Sequence, residues 1–102
     1  MVERGIIESV RRYIFLLKSE GIGIDKAFVY GSQLTDKKTE ESDIDVMIIT
    51  EEAGNDFLTG KIWSLTRKVN SRIEPFIVPK SKFYSNDDSP LIHIVKTTGI
   101  EI

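Results

Sequence analysis

The stretch Asp43-Ile44-Asp45-Val46-Met47-Ile48-Ile49 constrains the fold more than any other part of the chain. Past Asp45 it is apolar at every position, which suits a central strand covered on both sides. Its first residues are acids. Because side chains alternate along a strand, Asp43 and Asp45 project to one side while Ile44 and Val46 project to the other. Two carboxylates therefore converge by local geometry, without any tertiary accident.

The other elements can be placed around that strand. Val2, Ile6, Val10, Ile14 and Leu17 recur every three or four residues and predict an amphipathic helix, stopped by Gly21 and Gly23. Ala27 to Tyr30 reads as a short buried strand that delivers the turn Gly31-Ser32. Residues 35–42 are polar without periodicity and read as an exposed loop, opening with a short helical turn after Ser32. Leu58, Ile62, Leu65 and Val69 keep helical spacing after Asn55, a capping residue, and the helix should stop near Asn70-Ser71.

Ile73 to Val78 is a third strand, and Pro75 requires it to be an edge or irregular there, since proline donates no ladder hydrogen bond. Pro79 to Asp88 reads as a polar connection. Ser89-Pro90 has the form of a helix start, with Leu91, Ile92, Ile94 and Val95 facing inward and Gly99 at the end. Ile100-Glu101-Ile102 adds a last strand. The expected fold is a single α+β or α/β domain over residues 1–102: a small mixed β-sheet of three to four strands flanked by helices.

For Gly31-Ser32 to meet Asp43 and Asp45, strands one and two must run antiparallel. The helix between strands two and three makes a crossover, so those two should be parallel. That arrangement puts Glu74 beside Asp43 and Asp45, the other reading of Glu74 being an exposed residue on an edge strand. Three neighbouring acids repel one another unless a cation intervenes. Their hard oxygens favour magnesium or manganese. A pair of such ions can hold a triphosphate, orient an attacking hydroxyl and stabilise a pyrophosphate leaving group. Asp43 and Asp45 are assigned to both metals, and Glu74 to the second metal or to proton removal from the acceptor. Gly31 allows close backbone approach to phosphate, and Ser32 can donate through its hydroxyl and amide.

Other classes of chemistry have less to build on. Cysteine is absent, which removes thiolate nucleophiles, disulfides and cysteine zinc sites, and the single histidine, His93, reads as a surface or partner-facing residue. The net charge is −2 with Lys and Arg scattered, so no extended nucleic-acid track is indicated. No run approaches the roughly 20 apolar residues of a membrane span, and Glu3 and Arg4 interrupt any secretory signal, which places the chain in the cytoplasm. Trp63 and Phe57 read as core or interface residues, Lys37 and Lys38 as solvated, and Arg67, Lys68 and Arg72 as helix-end charges.

The segment GSQLTDKKTEESDID followed by VMII, with RIEPFIV supplying a later acid, resembles the minimal nucleotidyltransferase family of the polymerase beta superfamily. That family's signature is Gly-Ser, about ten residues, then Asp-x-Asp. Gln33, Leu34, Thr35 and Asp36 stand where the family's frequent form continues x-Ala-Arg-Gly. The resemblance covers nearly the whole chain and implies the nucleotidyltransferase fold, with transfer of a nucleoside monophosphate, commonly AMP from ATP, to a hydroxyl acceptor. Small stand-alone members are often antitoxins encoded beside a helical HEPN-type ribonuclease, and some adenylylate a tyrosine on it. Larger relatives carry a further helical domain, so the resemblance implies a homo- or hetero-oligomer that completes the site. The alternative is a non-catalytic antitoxin that neutralises its partner by occlusion. A phosphatase or nuclease built on the carboxylates would leave the Gly-Ser turn without a role.

Overall fold

The computed structural model describes residues 4–31, 42–86 and 89–102 of the chain. Val2, Ser32, the loop residues 35–41 and the end of the 79–88 connection, all assigned a place from the sequence, lie outside the described residues. Within them runs a mixed sheet of four strands in the order β3-β2-β1-β4. Strand β1 is Lys26–Tyr30, β2 is Ile44–Thr50, β3 is Ile73–Pro79 and β4 is Ile100–Glu101. Strand β2 lies antiparallel to β1 and parallel to β3, as the crossover argument requires.

The double apolar character of β2 is explained by what covers it. On one face, Ile44, Val46 and Ile48 join Val29 and Ile73 under the helix α1, Arg4–Ser19, and the helix α2, Asp56–Ser64. On the other, Met47 and Ile49 join Phe28 and Val78 under Phe83, Ile92 and Val95. Those three come from the one-turn helix α3, Lys80–Phe83, and the helix α4, Pro90–Thr98. Burying a large aliphatic or aromatic side chain contributes about 1.5–3 kcal/mol, so both layers hold β2 rigidly in place.

Local signals account for most boundaries. Asn55 caps α2, its side chain accepting from Leu58 N at 3.1 Å, and Ser89 caps α4, accepting from Ile92 N at 3.3 Å with Pro90 at the first helical position. Pro75 is buried in β3, which is an edge strand. Four sequence readings need correction. The helix expected over 55–70 is α only to Ser64 and tightens into a 3₁₀ turn, Leu65–Lys68. The segment after Pro79 contains α3, because Phe83 turns back into the core. Ile94 is exposed, since burial follows the Ile92–Val95 spacing and leaves Ile94 off that stripe. Tyr13, absent from the aliphatic pattern of α1, is fully buried there and donates to Ile62 O at 2.6 Å.

Candidate active site

The acids meet at one corner of the sheet, at the amino end of β2. The parallel register sets Asp45 directly against Glu74, and the antiparallel register sets Tyr30, the last residue of β1, against Asp45. All three share the face of Phe28 and Met47, because strand side chains alternate. Asp43 lies just before β2 and is exposed. Its segment is pinned by Arg72 from both sides: Ile44 N donates to Arg72 O at 2.8 Å, and Arg72 Nε donates to Ser42 O at 2.9 Å.

Gly31 completes the corner. Its φ is +79°, a left-handed value that glycine adopts freely and other residues adopt at a cost. A Cβ at this position would overlap Asp45 Oδ2. The missing side chain is therefore the space that the Asp45 carboxylate fills. Ser32 falls outside the described residues.

Electrostatics join these groups. Burial, then the neighbouring Asp43, raises the Asp45 carboxyl above its ordinary value. Glu74 is raised by partial desolvation, by Asp43 and Asp45, and by a hydrogen bond to the Asp43 side chain, which its protonated form donates. The Tyr30 phenol is raised by burial and by the field of Asp45 and Glu74. Each shift in the corner has the sign that burial and neighbouring negative charge both give.

The backbones bring Asp43, Asp45 and Glu74 together, and the Glu74 carboxyl lies within hydrogen-bond reach of the Asp43 side chain. No group of three or more His, Cys, Asp or Glu among the described residues is gathered at metal-binding spacing. The donor set nevertheless suits a hard divalent cation, which would relieve the shifts just described.

Two members of this corner have little or no sequence signal. Tyr30 could have been found by stepping two residues from Phe28 along β1. Arg72 could not, because its role is a side-chain bond to a backbone carbonyl 30 residues away; it is more than a helix-end charge. Trp63 and Phe57, read as core or interface, are exposed at 46% and 78%, since Ile62 takes the buried position of α2. His93 is exposed on α4. At the far end of the sheet, Asp25 accepts from Tyr84 OH at 2.6 Å and pairs with Lys80 Nζ at 3.4 Å. No helix among the described residues is long and apolar enough to cross a membrane.

Residues 14–102 match the sequence profile of the family described as Polymerase beta, Nucleotidyltransferase. Among solved structures, the chain is similar to a protein from Sulfolobus solfataricus named as a candidate nucleotidyltransferase, with 12% identity, a TM-score of 0.51 and 78% of each chain covered. At that identity the likeness concerns the fold. A comparison with curated protein sequences finds no match.

Proposed function

We propose, from the premise that the chain belongs to the polymerase beta nucleotidyltransferase family, that it transfers a nucleoside monophosphate, AMP from ATP, to a hydroxyl acceptor. The observation that carries this reading is the corner itself, where Asp45 and Glu74 face each other across parallel strands and Gly31 gives up its side chain to the Asp45 carboxylate. A purely structural corner would not stack three acids whose charges oppose one another.

In this reading Asp43 and Asp45 would hold magnesium or manganese, with Glu74 sharing the second ion or taking a proton. Bound cations supply charge neutralisation for the triphosphate and orient the acceptor. The backbone beyond Gly31, and Ser32 with it, would receive phosphate oxygens. The acceptor oxygen bonds to the α-phosphorus, the bond from that phosphorus to the oxygen of the leaving pyrophosphate breaks, and the hydroxyl proton passes to Glu74. Arg72 keeps the Asp43 segment in place throughout, so the contribution of the protein is mostly positioning.

The acceptor in this reading lies on a small helical partner of the HEPN type, and the pair works as toxin and antitoxin. The deciding experiment incubates the chain, α-labelled ATP and magnesium with such a partner. Label on the partner that is lost in Asp45→Asn supports the transferase. Because no group of three acids among the described residues stands at metal-binding spacing, the second reading is occlusion: partner binding that survives Asp45→Asn, with no label transferred by the unaltered chain, supports it.

A further inference from the structure

A cavity of about 420 Å³ opens on the outer side of β3, between the start of that strand and the 3₁₀ turn. Its lining includes Gly60, Trp63, Thr66, Arg67, Ser71 and Glu74. Glu74 thus belongs both to the acid corner and to this groove. The sheet order β3-β2-β1 sets Gly31 and the groove on opposite flanks of Asp45. In a displacement at phosphorus, the attacking and departing oxygens lie in line on opposite sides. With pyrophosphate leaving on the Gly31 side, the acceptor must come in over Glu74, from the groove.

The lining also states what kind of acceptor fits. Trp63 is 46% exposed and offers an indole surface, while Arg67 makes no ion pair among the described residues. Thr66 Oγ1 donates to Trp63 O at 2.8 Å, which fastens the 3₁₀ turn to the end of α2. Gly60 stands one helical turn before Trp63, and a Cβ there would meet nothing within 4 Å. Glycine in a helix interior is disfavoured relative to alanine. Here its missing side chain leaves the groove open beside the indole.

We propose that this groove is the acceptor subsite, taking a hydroxyl compound that carries a flat ring and an anionic group, with the ring on Trp63, the anion on Arg67 and the hydroxyl at Glu74. The assignment rests on the transferase reading above. Aromatic contact and a guanidinium aimed at an anion are together specific for that combination. The volume admits a ligand of about one ring and its substituents.

Trp63 is the one tryptophan of the chain, so its fluorescence reports the groove directly. The full chain is titrated with the dipeptide tyrosyl-glutamate and, separately, with uridine monophosphate, two sources of the same ring, hydroxyl and anion. Saturable quenching by either is expected, weakened tenfold or more in Arg67→Gln, abolished in Gly60→Leu and unchanged in Asp45→Asn. The stronger probe identifies the ring as phenolic or as a nucleobase. Absence of saturable quenching with both probes would overturn the proposal, as would an undiminished response in Arg67→Gln. Displacement of the probe by a non-hydrolysable ATP analogue would give the groove to the donor base and overturn it too. Label transfer that proceeds equally in Gly60→Leu and Arg67→Gln removes the subsite and leaves the transferase standing. Quenching without any label transfer removes the transferase and leaves the groove as a site for ring-bearing anions.

Discussion

Replacing Gly31 with alanine tests the joint between backbone and carboxylate. The new methyl group would overlap Asp45 Oδ2, and an L residue would be held at a φ of +79°. The second effect alone costs about 1–2 kcal/mol. A domain of this size loses about 4–8 °C in Tm per kcal/mol, so the variant should melt about 4–16 °C lower. Gly21 supplies the matched control, because its φ is +86° yet a Cβ there meets nothing within 4 Å. Gly21→Ala should therefore lose similar stability and keep its activity. In Gly31→Ala the Asp45 side chain must swing off its position, and a displacement of about 1 Å at such a site costs about 10²-fold in rate. Thermal melts by circular dichroism and pyrophosphate release at a temperature where both variants are folded separate the two effects. Equal activity in the two alanine variants would refute the claim that Gly31 exists to seat Asp45.

Asp45 and Glu74 have native carboxyl values raised above their unfolded ones, so their stabilising contribution is present below the ordinary carboxylate range and is lost as pH rises through the raised values. Asp45→Asn and Glu74→Gln should each raise Tm at pH 7 by a few degrees, with solvent screening holding the effect under about 1 kcal/mol, and the gain should vanish near pH 4 in a series of melts. Arg72→Leu removes the bond from Nε to Ser42 O and should cost about 1–2 kcal/mol, seen as faster amide exchange around Asp43 together with weaker manganese binding. Tyr13→Phe loses the bond to Ile62 O and should cost about 1 kcal/mol by urea denaturation. Burial raises the Tyr13 phenol, so the native chain loses stability as pH climbs past the ordinary tyrosine range, and the phenylalanine variant should lose less.

The sheet and its acids were legible because two independent periodicities agreed. The alternation from Asp43 to Ile49 set the acid face, and the helical spacing from Leu58 to Leu65 made the crossover that brings Glu74 alongside. Capping chemistry at Asn55 and Ser89 fixed two helix starts. What escaped had no periodic signature. Helix α3 is a single turn whose only apolar anchor is Phe83, too short to show a pattern. Tyr13 lies on the inner stripe of α1 but was masked by an aliphatic reading of that stripe. The site was legible as a set of residue types and not as a set of distances: strand register dictates which carboxylates are neighbours, while side-chain rotamers, which no periodicity encodes, set the distances between their oxygens. Arg72 and the Trp63 groove depend on contacts between elements far apart in sequence, which spacing along the chain does not encode.

The proposed transfer requires the acids at positions 43, 45 and 74 to draw together around shared cations when nucleotide is bound. Anomalous diffraction from a crystal soaked with manganese and a non-hydrolysable ATP analogue reads this directly. Manganese peaks bridging the Asp43 and Asp45 carboxylates, with Glu74 turned to the second ion or to the acceptor side and phosphates seated at Gly31, are the predicted result. Nucleotide bound with manganese away from these acids would contradict it.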